Sequence, residues 1–161
     1  MDKKKITIIT LIIFSIFLID QISKKYIIGY FDGNNSLIYI NSFLNFDLIW
    51  NNGIAFGLLD FDDSNIYNFT TVIIGLVIIM VLYILKKTED NNIYFYAMIA
   101  GGALGNFIDR IRYSAVPDFI DFHLNDYHWF VFNIADIFIS LGVFCLIIAE
   151  IAFKSNDNEK I

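Results

Sequence analysis

The sequence predicts an all-α membrane protein: a four-transmembrane-helix bundle carrying a small extracytoplasmic β-rich subdomain. Composition is the first ground, because the 161 residues are 57% hydrophobic with a mean hydropathy of +0.61, above the apolar share of about 45–50% in soluble domains. The second is that apolar stretches near the roughly 20 residues needed to cross hydrocarbon recur four times. The third is that these spans and their connections use nearly the whole length, leaving no room for a separate soluble module. One integral-membrane domain over 1–161 is therefore expected, with spans at approximately 6–26, 66–85, 93–111 and 130–153.

Lys3, Lys4 and Lys5 precede an uncharged stretch from Ile6 to Ile19. No small-residue cleavage pattern follows it, and Asp20, Gln21, Ser23 and Lys24 continue in helix-compatible sequence, so it reads as an uncleaved first span. Residues 66–85 carry no charge and stop at Lys86 and Lys87, which makes them the cleanest span. The third span contains Gly101, Gly102 and Gly105, small residues that let helices approach closely. The fourth begins near Trp129, carries Asn133 and Asp136 at its start and Glu150 near its end, and closes at Lys154.

With both termini in the cytoplasm, Lys3, Lys4, Lys5, Lys86, Lys87, Lys154 and Lys160 lie inside and Lys24, Lys25, Arg110 and Arg112 outside. That bias agrees with the positive-inside rule. The exterior segments are then approximately 28–65 and 112–128. In the first, 36–41 and 43–50 are rich in Ile, Leu, Tyr and Phe and suggest two short strands, followed by a turn at Asn51-Asn52-Gly53. Trp50, Trp129, Tyr26, Tyr30 and Tyr127 fall near outer helix ends, as an interfacial aromatic belt would. Residues 154–161 form a polar tail.

The net charge of −6, with basic residues scattered in ones, twos and threes, excludes a phosphate-tracking stripe and hence a nucleic-acid partner. The single cysteine, Cys145, excludes intrachain disulfides and thiolate clusters, and its apolar setting reads as a small buried hydrophobe.

The polar residues converge. On this topology Asp20 and Lys24 end the first span, Asn106, Asp109 and Arg110 end the third, and Asn133 and Asp136 begin the fourth, all near the outer surface. Ionisable groups inside a span cost several kcal/mol, so they turn to the bundle interior and pair. The i, i+4 or i, i+3 spacings of Asp20/Lys24, Asn106/Arg110 and Asn133/Asp136 put each pair on one helix face. Asp118 sits in the apolar run Pro117-Asp118-Phe119-Ile120, close to where Asp136 enters the bilayer. Two carboxylates at one site cannot easily both ionise, leaving one base and one acid that suit water-driven peptide hydrolysis. Asp118 and Asp136 are the expected catalytic pair, and no metal or cofactor is required.

Five motifs in order make the chain resemble the lipoprotein signal peptidases (signal peptidase II), a family of membrane aspartic endopeptidases. Asp20-Gln21-Ile22-Ser23-Lys24 is similar to D-Q-x-x-K, and Asn51-Asn52-Gly53-Ile54-Ala55-Phe56 to N-x-G-x-A-F. Residues 102–110 are similar to G-A-L-G-N-x-x-D-R, 117–120 to V-D-F-I, and Phe132-Asn133-Ile134-Ala135-Asp136 to F-N-x-A-D. The resemblance implies cleavage of diacylglyceryl-modified prolipoproteins before the lipidated cysteine, in the bacterial inner membrane near the outer leaflet. It also implies contact with membrane lipids and sensitivity to globomycin-type cyclic peptides. Asp118 and Asp136 fall in the motifs that hold the family's catalytic aspartates. Asp20, Lys24, Asn51, Gly53, Phe56, Asn106, Arg110, Asn133 and Ala135 are the expected substrate-binding or site-supporting residues, and a monomer is expected. The segment Asn51 to Phe56 is expected to clamp over the site. Two positions depart from the pattern: Pro117 where Val is usual, and Ile137 where Ser is usual.

Asp20, Asp136 and Glu150 also raise the possibility of ion or proton conduction, but a pathway would spread ionisable groups through the bilayer depth, whereas these gather at one level apart from Glu150. A catalytically dead scaffold would not need an intact acidic pair. His123 and His128 lie near Asp121 and Asp126 with no recognised ligand spacing, so no metal site is expected.

Overall fold

The structure, a computed structural model, describes residues 2–33, 36–53, 64–125 and 127–158, with side chains 64, 65 and 153–158 outside the description. Four helices and four strands follow in the order α1 (Lys3–Phe31), β1 (Ile38–Asn41), β2 (Leu44–Asn51), α2 (Ser64–Lys87), α3 (Asn92–Tyr113), β3 (Val116–Leu124), β4 (Tyr127–Phe132) and α4 (Ile134–Asn158).

Asp2 caps α1, its side chain accepting the Lys4 N–H at 2.7 Å. The helix runs to Phe31, past the expected end near residue 26, for a packing reason: Ile27 and Phe31 join Phe119 and Ile120 in a cluster that seats the sheet on this last turn and a half. At 29 residues, about 43 Å, α1 exceeds the ~30 Å of hydrocarbon and projects beyond it. Lys86 and Lys87 in the last turn of α2 complement its dipole.

Among the described residues, three helices are long and apolar enough to cross a membrane: α1, Ile66–Lys87 of α2 and Ile134–Ala152 of α4. Each turns large apolar side chains outward, among them Leu11, Phe14 and Ile22, then Val72, Leu76 and Ile79, then Phe144, Ile147 and Ile151, while Asp20, Lys24, Asp109, Arg110, Asn133 and Asp136 are buried. Apolar outside and charged inside is the inverse of a soluble bundle and belongs in lipid. The protein is therefore a membrane protein. α3 is more polar, diluted by Gly, Asn and Tyr, and it packs against α1, α2 and α4 as the central helix. Its glycines permit this. A Cβ on Gly101 would meet the Ile13 carbonyl oxygen at 3.0 Å, and one on Gly102 the Ala135 carbonyl oxygen at 2.5 Å.

Lys5 Nζ donates to the carbonyls of Glu89 and Asp90, so the N-terminus and the α2–α3 connection share one end of the bundle. The sheet occupies the other end. It is antiparallel in the order β1-β2-β3-β4, and the β2–β3 pairing joins the two segments read from sequence as exterior. The strands expected at 36–41 and 43–50 are β1 and β2. The exterior segment expected at 112–128 holds the end of α3, β3 and the start of β4, and the fourth helix does not start at Trp129, which lies in β4: α4 starts at Ile134. The run His128-Trp129-Phe130-Val131-Phe132 is apolar enough to pass for a span yet has the aromatic and β-branched content of a strand. Pro117 is accommodated because β4 pairs with β3 only from Ile120 onward, leaving that side of residue 117 unpaired.

Candidate active site

Where the bundle meets the sheet, α1 supplies Asp20, Gln21 and Lys24 on adjoining turns. Lys24 Nζ uses all three of its protons on Asp20 Oδ2 (2.8 Å), Asn106 Oδ1 (2.7 Å) and Asp109 Oδ2 (2.6 Å). Gln21 Nε2 bridges Asp20 Oδ2 and Asp109 Oδ1. The second Asp20 oxygen accepts the Ala135 N–H at 2.9 Å, satisfying one of the N–H groups that the first turn of α4 cannot bond internally. Asp20 thus fastens α1 to the start of α4, and Gly105 lets it through, since a Cβ there would collide with Asp20 Oδ2.

Asn133 and Asp136 cap α4 reciprocally. Asn133 Oδ1 accepts the Asp136 N–H at 3.1 Å and Asp136 Oδ2 accepts the Asn133 N–H at 3.2 Å, a capping-box arrangement that places the carboxylate one turn into the helix. The other Asp136 oxygen accepts Asn106 Nδ2 at 2.8 Å.

Asp118 arrives from β3. Ser114 ends α3 in the left-handed region, φ 55°, with its N–H on the Arg110 carbonyl at 3.1 Å, and this turn feeds Val116 to Asp118 under the bundle. Asp118 Oδ2 accepts Asn51 Nδ2 at 2.8 Å, and Oδ1 accepts Asn133 Nδ2 at 2.6 Å. Asn133 therefore touches both carboxylates, Asp118 through its side chain and Asp136 through its backbone. Burial, and then the charge of Asp136 beside it, push the Asp118 carboxyl up to about 7.

Asp118 and Asp136 line one cavity of about 180 Å³ together with Asn51, Asn106, Arg110 and Ser140 and with the apolar Ile74, Ala103, Val116 and Ile139. Arg110 donates to the Gly53 carbonyl, and its guanidinium lies 5.6 Å from the centre of the Tyr67 ring. Its Nη1 is buried without a hydrogen-bond partner among the described residues. Two carboxyl groups lining one cavity, one of them pushed up to about 7, can activate water and protonate a carbonyl.

The profile of the family described as Signal peptidase (SPase) II matches residues 12–152. The chain belongs to the signal peptidase II family. It is 54% identical over 151 residues to the lipoprotein signal peptidase of Pelagibacter ubique (strain HTCC1062), covering 92% of this chain and 91% of that one. With the lipoprotein signal peptidase of Anaplasma marginale (strain Florida) the identity is 34% over 156 residues, covering 96% and 89%. A bacterial membrane enzyme solved at 2.3 Å by the in meso method superposes with a TM-score of 0.75 at 31% identity, covering 94% of this chain and 92% of that one. A second, at 1.9 Å, gives 0.73 at 33% identity, covering 89% and 92%.

Of the residues expected at a signal peptidase II site, Asn51, Asn106, Arg110, Asp118 and Asp136 line the cavity. Asn133 and Gly53 touch it through their partners, and Asp20, Lys24 and Ala135 form the brace behind it. Phe56, with Ile54 and Ala55 of the expected clamp, lies outside the described residues. Asp109 pairs with Lys24. Ile137 is 40% exposed on α4, and both Asp136 oxygens already have donors, so the absent Ser hydroxyl leaves no gap in the carboxylate's support. Gln21 and Tyr67 were not among the expected site residues. Gln21 stands inside a quoted motif, whereas a tyrosine at the outer end of an apolar span reads as belt. Glu150 is exposed on α4 and does not line the cavity.

Proposed function

We propose that this chain removes signal peptides from lipoprotein precursors, cleaving before a diacylglyceryl-modified cysteine with water activated between Asp118 and Asp136. The observation that carries the proposal is that both carboxylates line one cavity and share Asn133, in a chain 54% identical over 92% of its length to a lipoprotein signal peptidase. Ionised Asp136 takes a proton from water as the oxygen attacks the scissile carbonyl, and protonated Asp118 gives its proton to the carbonyl oxygen. On collapse, the proton held by Asp136 passes to the departing amine and the C–N bond breaks, while a hydroxyl of the gem-diol returns its proton to Asp118 as the C=O re-forms. A substrate carbonyl on Arg110 Nη1 would complete that guanidinium's hydrogen bonding.

Its membrane placement follows from the same residues. α3 serves as a fourth span, because its 22 residues rise about 33 Å and its polar groups are sheltered by the other helices. Lys3 to Lys5 and Lys86 to Lys87 mark the cytoplasmic end, and the sheet and active site lie at the outer leaflet of the inner membrane. The exposed Tyr26, Trp50, Tyr127 and Trp129 fit that interface. α2 packs on α3 and little on α4, so Ile74 and Ile139 flank a lateral opening through which acyl chains stay in lipid. A globomycin-type cyclic peptide competes for this space, and one chain suffices to build it.

The test is incubation of purified protein with a diacylglyceryl-modified prolipoprotein and mass spectrometry of the products. The expected product begins at the lipidated cysteine. An intact substrate, or cleavage elsewhere, would refute the assignment.

A further inference from the structure

Away from the aspartate cavity, three metal-ligating side chains meet on the sheet. Asp121 and His123 are two residues apart on β3 and so point to one face, and His128 of β4 stands opposite His123. The odd spacing from Asp118 directs this group to the other face of β3. One ligand atom from each of Asp121, His123 and His128 lies within 4.8 Å of the others. Sequence spacing alone did not disclose this, because the meeting depends on the β3–β4 register and its shift between Phe122 and His123.

Two further atoms mark the cluster as chemically incomplete. His123 Nδ1 has no hydrogen-bond partner among the described residues although its side chain is 10% exposed, and it lies 3.9 Å from Asp121 Oδ2. Asn45 stands opposite Asp121 in the β2–β3 register, which puts both on one face, and its Oδ1 is likewise buried without a partner. Leaving such a group buried and unpaired is unfavourable. A cation seated among Asp121, His123 and His128 would supply what hydrogen bonding does not.

We propose that Asp121, His123 and His128 form a site for Zn²⁺ or a similar imidazole-preferring divalent ion. Two imidazoles and a carboxylate, with a further position open to water or to Asn45, are a fitting donor set. Tetrahedral bonds near 2.0–2.2 Å put ligand atoms about 3.4 Å apart, so the group must contract. His128 can provide that movement, being 55% exposed, with its Nδ1 on the Asp121 oxygens at 2.8 and 2.9 Å and its ring stacked on His123 at 5.3 Å between centroids. His123 is held by its backbone N–H on the Phe43 carbonyl at 3.0 Å. A bound ion would staple β4 to β3, three residues along the strand from Asp118, without entering the aspartate cavity.

Tag-free, full-length protein purified in detergent and stripped with chelator is titrated calorimetrically with Zn²⁺. One equivalent should bind, with a rise in melting temperature, and the exposed-site variant His128→Gln should weaken binding by about tenfold or more, as should His123→Gln. Asp118→Asn should bind Zn²⁺ as the wild type does. Absence of stoichiometric binding, or unchanged affinity in His128→Gln, would overturn the proposal, as would loss of binding in Asp118→Asn, which would place the ion at the aspartate pair.

Discussion

Asp118 and Lys24 show how individual residues set the chemistry. The Asp118 carboxyl titrates near 7, above its ordinary range, so it is protonated below that pH and loses the proton above it. If it is the acid of the pair, turnover falls about tenfold per pH unit on the alkaline side of 7. A pH–rate profile under single-turnover conditions checks this, and a rate still rising from pH 7 to 9 would assign the acid role elsewhere. Lys24 answers two buried carboxylates, Asp20 and Asp109. Lys24→Met leaves both uncompensated and should cost about 3–5 kcal/mol, seen as a lowered thermal midpoint in detergent. Most of these residues were legible from sequence because an ionisable group in an apolar span requires a reason to be there. Their division of labour was not: nothing in the spacing of Asp20 and Lys24 says that they hold the start of α4 while Asp118 and Asp136 line the cavity.

Packing of the elements places those residues. α3 is the hub, and its glycines set the distance to its neighbours. Gly102→Val puts a branched side chain where even a Cβ meets the Ala135 carbonyl oxygen at 2.5 Å. It should displace the first turn of α4, and with it Asp136, lowering turnover by about 100-fold; equal rates for wild type and variant would show that the close approach is dispensable. Helix existence could be read from hydropathy, and β1 and β2 from their apolar runs broken at Asn41 and Ser42. β3 and β4 could not. An aromatic run leading into an apolar helix has one composition and two structures; here it is β4 because it pairs with β3, which is itself held by β2, about 70 residues earlier in sequence. Long-range pairing of this kind leaves no local periodic signature.

Across the whole molecule, an outward-facing apolar surface, a charged interior at one end and a sheet seated on the last turns of α1 fit the proposed hydrolytic site at the rim of a lipid phase. The sheet unites two exterior segments that sequence treats as separate, so Asn51 from one and Asp118 from the other share a hydrogen bond. That junction explains why the paired acids could be nominated from sequence while the asparagines that position them could be named only as general support. The proposed mechanism requires the two carboxylates to act as one unit. The most direct measurement is the single-turnover cleavage rate of a diacylglyceryl-modified prolipoprotein by wild type, Asp118→Asn, Asp136→Asn and the double variant, each verified to melt cooperatively. Either single change should reduce the rate by about 10³-fold or more, and the double change little further. Substantial turnover in either single variant, or losses that multiply in the double, would contradict a shared acid–base pair.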